Sequence, residues 1–225
     1  MKLLPTIPRT KSGYRIFNDR HLMQLKLLRT AFRSVIISDS LRQEVYEIVK
    51  IAASNNIEEA YQRTQMYLTH LRQERERAQE AIDITLDILK DAKEREEGIE
   101  YRGRLEVAGL LGITVDVLRN WERNGLLQVP ETVDGYRRYR QKEINRLKII
   151  RTLRSSHYSI MSILRMLNRL DTGDVNVGEN IDTPGEEEDT VCATDRYITA
   201  LNLAEEDALE MLEMLEVIAS MDDTQ

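Results

Sequence analysis

Cationic and hydrogen-bonding side chains recur at helical spacing between Thr114 and Arg123. Arg119 and Arg123 are four residues apart, so a helix would place them on one face, with Asp116 beside them and Asn120 at its edge. Guanidinium groups bind phosphate oxygens, and asparagine can pair with the edges of bases. This pattern therefore favours recognition of a polyanion and requires no covalent chemistry.

These side chains belong to the second of two short predicted helices. Four apolar residues of the first helix are expected to be buried: Val107, Ala108, Leu110 and Leu111. The segment Gly112-Ile113-Thr114 makes the turn, Thr114 is expected to cap the second helix, and Gly125 is expected to end it. The apolar face of the second helix consists of Val117, Leu118 and Trp121. Such a unit fits a DNA major groove, and an ordinary helical hairpin with a solvated charged face is the alternative.

A hairpin signal follows the two helices. Asp134-Gly135 is typical of a tight β-turn, and the aromatic and cationic residues Tyr136–Tyr139 follow it directly. Side chains of these types on a protruding hairpin are suited to contacts with phosphates. The hairpin therefore favours DNA binding over the ordinary helical hairpin.

The strings L-R-N-W-E-R-N-G-L-L (118–127) and D-G-Y-R-R-Y (134–139) resemble the winged helix-turn-helix of the MerR (mercury-resistance-regulator) family of bacterial transcription factors. The resemblance covers residues 101–170. It implies that Arg119 contacts the DNA backbone and that Tyr136 and Arg137 belong to the wing. Asn120 occupies a position where the family often has an aromatic residue.

The resemblance implies a mostly α fold, with a helix-turn-helix, a small β-hairpin wing and a long dimerisation helix. The candidate DNA-contacting residues of this module are Arg102, Thr114, Val115, Asp116, Arg119, Asn120, Arg123, Tyr136, Arg137 and Arg138. The recognition helix (114–124) would enter the major groove while the wing (126–139) grips the backbone. The resemblance also implies a homodimer that distorts promoter DNA. This distortion would bring promoter elements that are spaced too far apart into line for RNA polymerase.

The net charge of −7 hides two basic and two acidic segments. Residues 1–33 carry +7, residues 34–100 carry −6, residues 101–170 carry +8 and residues 171–225 carry −16. DNA responds to the local field at the contact face, so the acidic total does not exclude nucleic acid.

Part of the N-terminal sequence repeats the central module. Gly13-Tyr14-Arg15 parallels Gly135-Tyr136-Arg137 at an offset of 122 residues, and the apolar positions that follow match at the same offset. We interpret this as an internal duplication. Nothing corresponding to the helix-turn-helix precedes Leu3, so either the chain begins at an internal Met or the first copy has lost its helix-turn-helix. The first copy offers further candidate phosphate contacts, which are Arg9, Lys11, Tyr14 and Arg15.

A long helix is predicted after residue 56. Apolar and small residues from Ile57 to Leu89 alternate four and three apart, which predicts one helix of about 50–60 Å. Such a stripe needs a partner helix, and the polar Thr64, Arg75 and Thr85 within it favour a specific register. The resemblance implies an antiparallel coiled coil between two chains, and packing within its own chain is the alternative.

These patterns predict five segments. They are a partial first module (1–56), a long dimerisation helix (57–97), the complete module (101–170), an acidic flexible linker (171–193) and a C-terminal amphipathic helix (194–220), capped by Thr194-Asp195. By position, the last helix is the second copy's counterpart of the long dimerisation helix. Its methionines could accommodate a hydrophobic ligand, with plain helix packing as the alternative.

Several classes of protein are excluded by composition. Cys192 is the single cysteine and the histidines are far apart in sequence, so neither a disulfide framework nor a metal site is expected. Neither a glycine-rich phosphate loop nor a nucleophile motif is found, and carboxylates lie in charge-alternating runs typical of solvated faces. We therefore expect a protein that is not an enzyme and has no cofactor.

The sequence also has neither an apolar run long enough for a membrane span nor a secretory signal, which predicts a cytoplasmic protein without membrane contact. The main hypothesis is a MerR-type transcription regulator acting on promoter DNA. A small-molecule binding or sequestering protein derived from such a regulator is the first alternative. A purely architectural DNA-binding protein is the second.

Overall fold

A computed structural model describes residues 3–34, 39–94, 101–128, 135–183 and 196–222. The helices are α1 (Asp19–Ala31), α2 (Asp39–Ala53), α3 (Ile57–Glu94), α4 (Arg104–Leu111), α5 (Val115–Arg123), α6 (Gln141–Ser155), α7 (Ile160–Asp171), α8 (Val177–Asp182) and α9 (Tyr197–Asp222). Strands β1 (Arg102–Gly103) and β2 (Arg138–Tyr139) pair antiparallel, with Arg102 opposite Tyr139. The predicted mostly α fold with a small β element is confirmed. The sheet joins β2 to the segment before α4, while residues 129–134, which include Asp134 of the predicted hairpin turn, lie outside the described residues.

The chain divides into two compact units, with the division inside α3. The first unit comprises residues 1–75 and 197–225, and the second unit comprises residues 76–196. Among the described residues, every helix is too short or too polar to cross a bilayer.

The first unit opens with a short hairpin. The backbone N–H of Ile16 donates to the carbonyl of Pro8 at 2.9 Å, and that of Thr10 donates to Tyr14 at 2.8 Å. Gly13 turns the chain with a φ of +90°, a conformation that costs glycine little because it has no Cβ. The N-terminal segment is then tied down by the buried Gln24 of α1, whose amide donates to the Leu3 carbonyl at 3.3 Å.

The apolar stripe of α3 is buried within a single chain. Its buried members are Ile57, Thr64, Leu68, Leu71, Ala78, Ile82 and Thr85. The hydroxyls of Thr64 and Thr85 each donate to a carbonyl of their own helix at 2.7 Å, so they form no polar pair across the stripe. The stripe of one chain is thus largely covered by its own chain, the alternative from the sequence, and a coiled coil between two chains stays a prediction.

The second unit packs α4 to α7 around one apolar core, and α8 adds to it. Val177 and Ile181 of α8 are 1% and 0% exposed, and Arg169 of α7 donates to Asn180 at 3.0 Å. Part of the stretch predicted as a flexible linker is therefore a short packed helix, because two apolar residues four apart reach the core. Cys192 and the predicted cap Thr194-Asp195 lie outside the described residues.

Candidate nucleic-acid interface

The turn between α4 and α5 is closed by backbone hydrogen bonds. Gly112 ends α4 in the left-handed conformation, with a φ of +63°, and the N–H of Ile113 donates to Ala108 at 3.0 Å. The side chain of Thr114 then accepts from the N–H of Val117 at 3.2 Å, as predicted for the cap of α5. The two helices are thus joined by a turn that fixes the start of α5.

The end of α5 is fixed in the same way. Gly125 has a φ of +76°, its N–H donates to Glu122 at 3.1 Å, and the N–H of Leu126 donates to Trp121 at 3.1 Å. This pair of bonds is a Schellman motif, and the fully buried Leu126 supplies its apolar contact. The predicted stop at Gly125 is confirmed.

Two predicted core residues are exposed instead. Leu110 of α4 is 50% exposed and Val117 of α5 is 37% exposed. The buried faces are centred on Val107, Ala108 and Leu111 in one helix and on Leu118 and Trp121 in the other. At 100° per residue, Leu110 and Val117 fall at the rims of those faces.

The structure places the candidate contacts of the second unit at or near its surface. Those exposed are Thr114, Asp116, Arg119, Arg123, Tyr136 and Arg138, and those half-buried are Arg102, Val115, Asn120 and Arg137. Arg119 forms an ion pair with Asp116 at 3.1 Å, and both side chains are largely solvated. Exposed pairs of this kind contribute little stability, so a phosphate could displace Asp116 at small cost.

Glu122 is the residue that the sequence analysis missed. Its side chain is 4% exposed and forms ion pairs with Arg104 at 2.9 Å and with Arg137 at 2.7 Å. The hydroxyl of Tyr139 donates to its other oxygen. Glu122 is therefore not one of the solvated carboxylates that the charge pattern predicted, and it connects α5 with the start of α4 and with β2.

Tyr139 has a perturbed titration because of this cluster. Burial is the largest cause and the hydrogen bond to Glu122 is the second, and together they raise the pKa of Tyr139 to about 12. The neutral phenol is thus favoured in the folded state, so this residue contributes no loss of stability below pH 10.

Stability is expected to fall between pH 10 and about pH 12, because the unfolded chain loses the Tyr139 proton there while the folded chain retains it. Urea unfolding followed by Trp121 fluorescence at a series of pH values measures this slope. Tyr139→Phe is the control and should flatten the slope over this range. An equal slope in the two proteins would contradict the assignment.

Four further candidates lie on the hairpin of the first unit. Arg9, Lys11, Tyr14 and Arg15 are all exposed, and Tyr14 is 75% exposed. The guanidinium of Arg9 donates to the carbonyl of Gly13 at 2.9 Å, which stiffens the turn. The structure thus places these four residues within one short hairpin, in which Arg9 lies opposite Arg15.

The chemistry of a metal site is not assembled in the part of the chain that the structure describes. Those residues contain no group of three or more His, Cys, Asp or Glu side chains that could hold a metal ion.

Two short helices joined by a tight turn, with an exposed cationic face on the second, define a helix-turn-helix domain of the DNA-binding class. Residues 105–170 match the family described as "MerR HTH family regulatory protein". The resemblance of this segment to the MerR family is thereby confirmed, while the duplication stays a prediction. The match supports a regulator of transcription over an enzyme.

A curated relative is similar to this chain over a segment about as long as the family match. Over 64 residues the chain is 39% identical to "Nodulation protein NolA" of Bradyrhizobium sp. (strain NC92). This stretch is 28% of the present chain and 27% of the relative, so the chain spans about a quarter of the length of that protein. No solved structure matches the chain.

Proposed function

We propose that this protein is a transcription regulator that inserts α5 into the major groove of promoter DNA. The observation that carries the proposal is the exposed face of α5, on which Arg119 and Arg123 stand one helical turn apart on a firmly capped helix. The family match over residues 105–170 supports the same conclusion. In this proposal Asn120 and Thr114 face base edges or phosphates, and the two arginines neutralise phosphates.

The Glu122 cluster explains how the wing would act together with the reading helix. Glu122 belongs to α5, whereas Arg137 and Tyr139 belong to the segment around β2. Because one buried carboxylate holds both, Tyr136 and Arg138 keep a fixed position relative to α5. We propose that these two exposed side chains contact the backbone beside the groove that α5 enters.

Distortion of the promoter for RNA polymerase is a further part of the proposal. Bending a DNA site of about 20–30 base pairs costs roughly 1–6 kcal/mol. The net charge of +8 over residues 101–170 provides phosphate contacts that would offset this cost. The resemblance to the MerR family supports this step, and a cytoplasmic location follows from the same activity.

The sequence also predicts a homodimer, and a two-chain complex on DNA stays a prediction. We propose that the stripe of α3 is not the surface that holds two chains together, since most of its residues are already buried in one chain. A second chain would need other surfaces.

Arg119→Ala and Arg123→Ala are each expected to weaken binding to duplex DNA and to reduce the slope of log K against log salt by about one. Arg63→Ala is the matched control, because Arg63 is an exposed arginine on α3 in the first unit with a comparable ion pair to Glu59. Fluorescence anisotropy of a labelled duplex at several salt concentrations measures both quantities. An unchanged slope in both α5 variants would refute the proposed contact face.

A cleft in the second unit supports the second candidate function, the binding of a hydrophobic small molecule. It has a volume of about 590 Å³ and lies between the end of α3, α6 and α7. Its apolar lining includes Leu86, Leu89, Ile149, Leu167, Leu170 and Val175. The charged residues of the lining are the cations Lys90, Lys142, Arg146 and Lys148 and the anions Asp91 and Asp171. Because cations are in excess, we propose a lipophilic ligand with an anionic group.

Dodecanoate is a suitable probe for this cleft. Isothermal titration calorimetry is expected to show saturable binding to the protein and its loss in Leu89→Glu, which places a negative charge among the lining residues. Ile84→Glu is the control, since Ile84 is 42% exposed on the same helix and is not a lining residue. Equal binding by the two variants would count against the cleft.

A further inference from the structure

Helices α3 and α9 run antiparallel in the first unit. The hydroxyl of Tyr61 donates to Glu216 at 3.0 Å, and the guanidinium of Arg72 donates to Glu205 at 2.7 Å. The two contacts are eleven residues apart on both helices, which is a rise of about 16 Å along each. Residue numbers increase on α3 as they decrease on α9, so the two helices form an antiparallel pair.

The inner face of α9 is covered within the chain. Its buried apolar residues are Leu201, Ala204, Ala208, Met211, Leu215 and Ile218, none of which is more than 4% exposed. The first half of the α3 stripe is buried in the same unit. Neither face is therefore available to a helix from a second chain, and Met211 fills core space rather than presenting an adaptable surface.

The first unit also binds α9 to α1. Asp207 of α9 is 5% exposed and accepts from the guanidinium of Arg33 at 2.6 Å. Glu210 of α9 accepts from the same guanidinium at 2.7 Å. The chain just after the C-terminal end of α1 is thus held by charge-assisted hydrogen bonds to α9, the counterpart of α3 in the second copy.

In the second unit the roles of the two copies are exchanged, and a residue of the second copy contacts the long helix of the first. The hydroxyl of Tyr158, which follows α6, donates to the carbonyl of Ala78 in the second half of α3 at 3.3 Å. Tyr158 is fully buried. In this unit the connection between α6 and α7, which belongs to the second copy, therefore contacts the long helix of the first copy.

One side-chain to backbone hydrogen bond is common to the two copies. Gln24 of α1 donates to the carbonyl of Leu3, and Arg146 of α6 donates to the carbonyl of Leu126 at 2.8 Å. Gln24 and Arg146 are 122 residues apart, the offset of the sequence repeat. Leu3 and Leu126 precede the two hairpins at an offset of 123, because the segment before Gly13 has one more residue than the segment before Gly135. The same contact at matched positions supports the duplication independently of side-chain identity.

We infer that the protein is a single-chain pseudo-dimer, in which α9 takes the place that a second chain's helix would have against α3. Each long helix is held by a residue that follows a short helix of the other copy, and one polypeptide supplies both members of the pair. The inference rests on the contacts of α3 and α9 and goes beyond the proposed DNA binding, which its test does not require.

The test uses the full chain with Cys192→Ser and two new cysteines, Tyr61→Cys and Glu216→Cys, joined by a short bismaleimide. A reagent is needed because the natural contact joins the ends of two long side chains, which is too far for a disulfide. Protein with normal isotopes is mixed with ¹⁵N-labelled protein, unfolded, refolded together and then crosslinked. Circular dichroism checks that the variant folds, and the single Glu216→Cys variant is the control for links between chains.

The inference predicts a crosslinked species with the mass of one chain and linked peptides whose two halves carry the same isotope. Linked peptides that combine light and heavy halves would show that α9 pairs with the α3 of another chain. Absence of any link in a folded variant would show that α3 and α9 are not adjacent. Either of these results overturns the inference, whatever the protein does with DNA.

Discussion

Glu122→Ala is expected to destabilise the second unit by about 2–4 kcal/mol. Alanine would remove the acceptor for Arg104, Arg137 and the buried hydroxyl of Tyr139. The two arginines retain partial access to water, with side chains 28% and 36% exposed, which keeps the cost below that of a fully buried ion pair. The phenol of Tyr139 has no such access, so its buried O–H would be left without this acceptor, and this accounts for much of the expected loss of stability.

Trp121, the single tryptophan of the chain, lies next to Glu122 and is 5% exposed, so its fluorescence reports on this unit. Urea unfolding monitored by this signal measures the loss. Glu122→Gln keeps the shape and one acceptor, so it should lose less stability than the alanine variant. If the alanine variant matched the wild type, Glu122 would not be the connection between α5 and β2.

Leu215→Ala is expected to cost about 2–5 kcal/mol, the range for truncation of a buried leucine. Leu215 is fully buried on the inner face of α9. Leu203 lies on the same helix but is 48% exposed, so Leu203→Ala is the matched control and should change the free energy of unfolding by about 0.5 kcal/mol at most.

Thermal unfolding followed by far-ultraviolet circular dichroism measures the effect of both substitutions. The difference in melting temperature between the wild type and Leu215→Ala should also be independent of protein concentration, because the partner of α9 is in the same chain. A difference that changes with concentration would indicate that α9 packs against another chain. Equal losses in the two variants would show that α9 does not bury the face that contains Leu215.

Local features of the candidate site could be predicted from the sequence. The Thr114 cap, the turn at Gly112 and the stop at Gly125 each depend on residues within one or two turns of one another. Short-range rules of backbone geometry therefore determine them. The exposed face of α5 followed from its helical periodicity for the same reason.

Features that depend on distant partners were missed. Glu122 resembled any solvated carboxylate, because its partners Arg104 and Arg137 are 18 and 15 residues away. Strand β1 is only two residues long, and its pairing with β2 spans the whole helix-turn-helix. Neither has a periodic signal that a single sequence could show.

The stripe of α3 illustrates a different limit. Its four-three spacing correctly indicated that a partner helix must cover it, but spacing carries no information about which chain supplies that partner. The structure buries most of the stripe within one chain, where Arg75 of the stripe and the nearby Arg72 both form ion pairs with Glu205 of α9. Only the three-dimensional contacts show this.

The proposed position of the exposed face of α5 in the major groove can be tested directly on DNA. A duplex selected from random sequences by the full chain can be probed with dimethyl sulfate, which methylates guanine N7, an atom of that groove. Protein bound to this duplex is expected to protect guanine N7 atoms on one face of it, and the double variant Asn120→Ala, Arg123→Ala is expected to lose this protection. Saturated binding with every guanine N7 still reactive would show that α5 does not lie in the major groove.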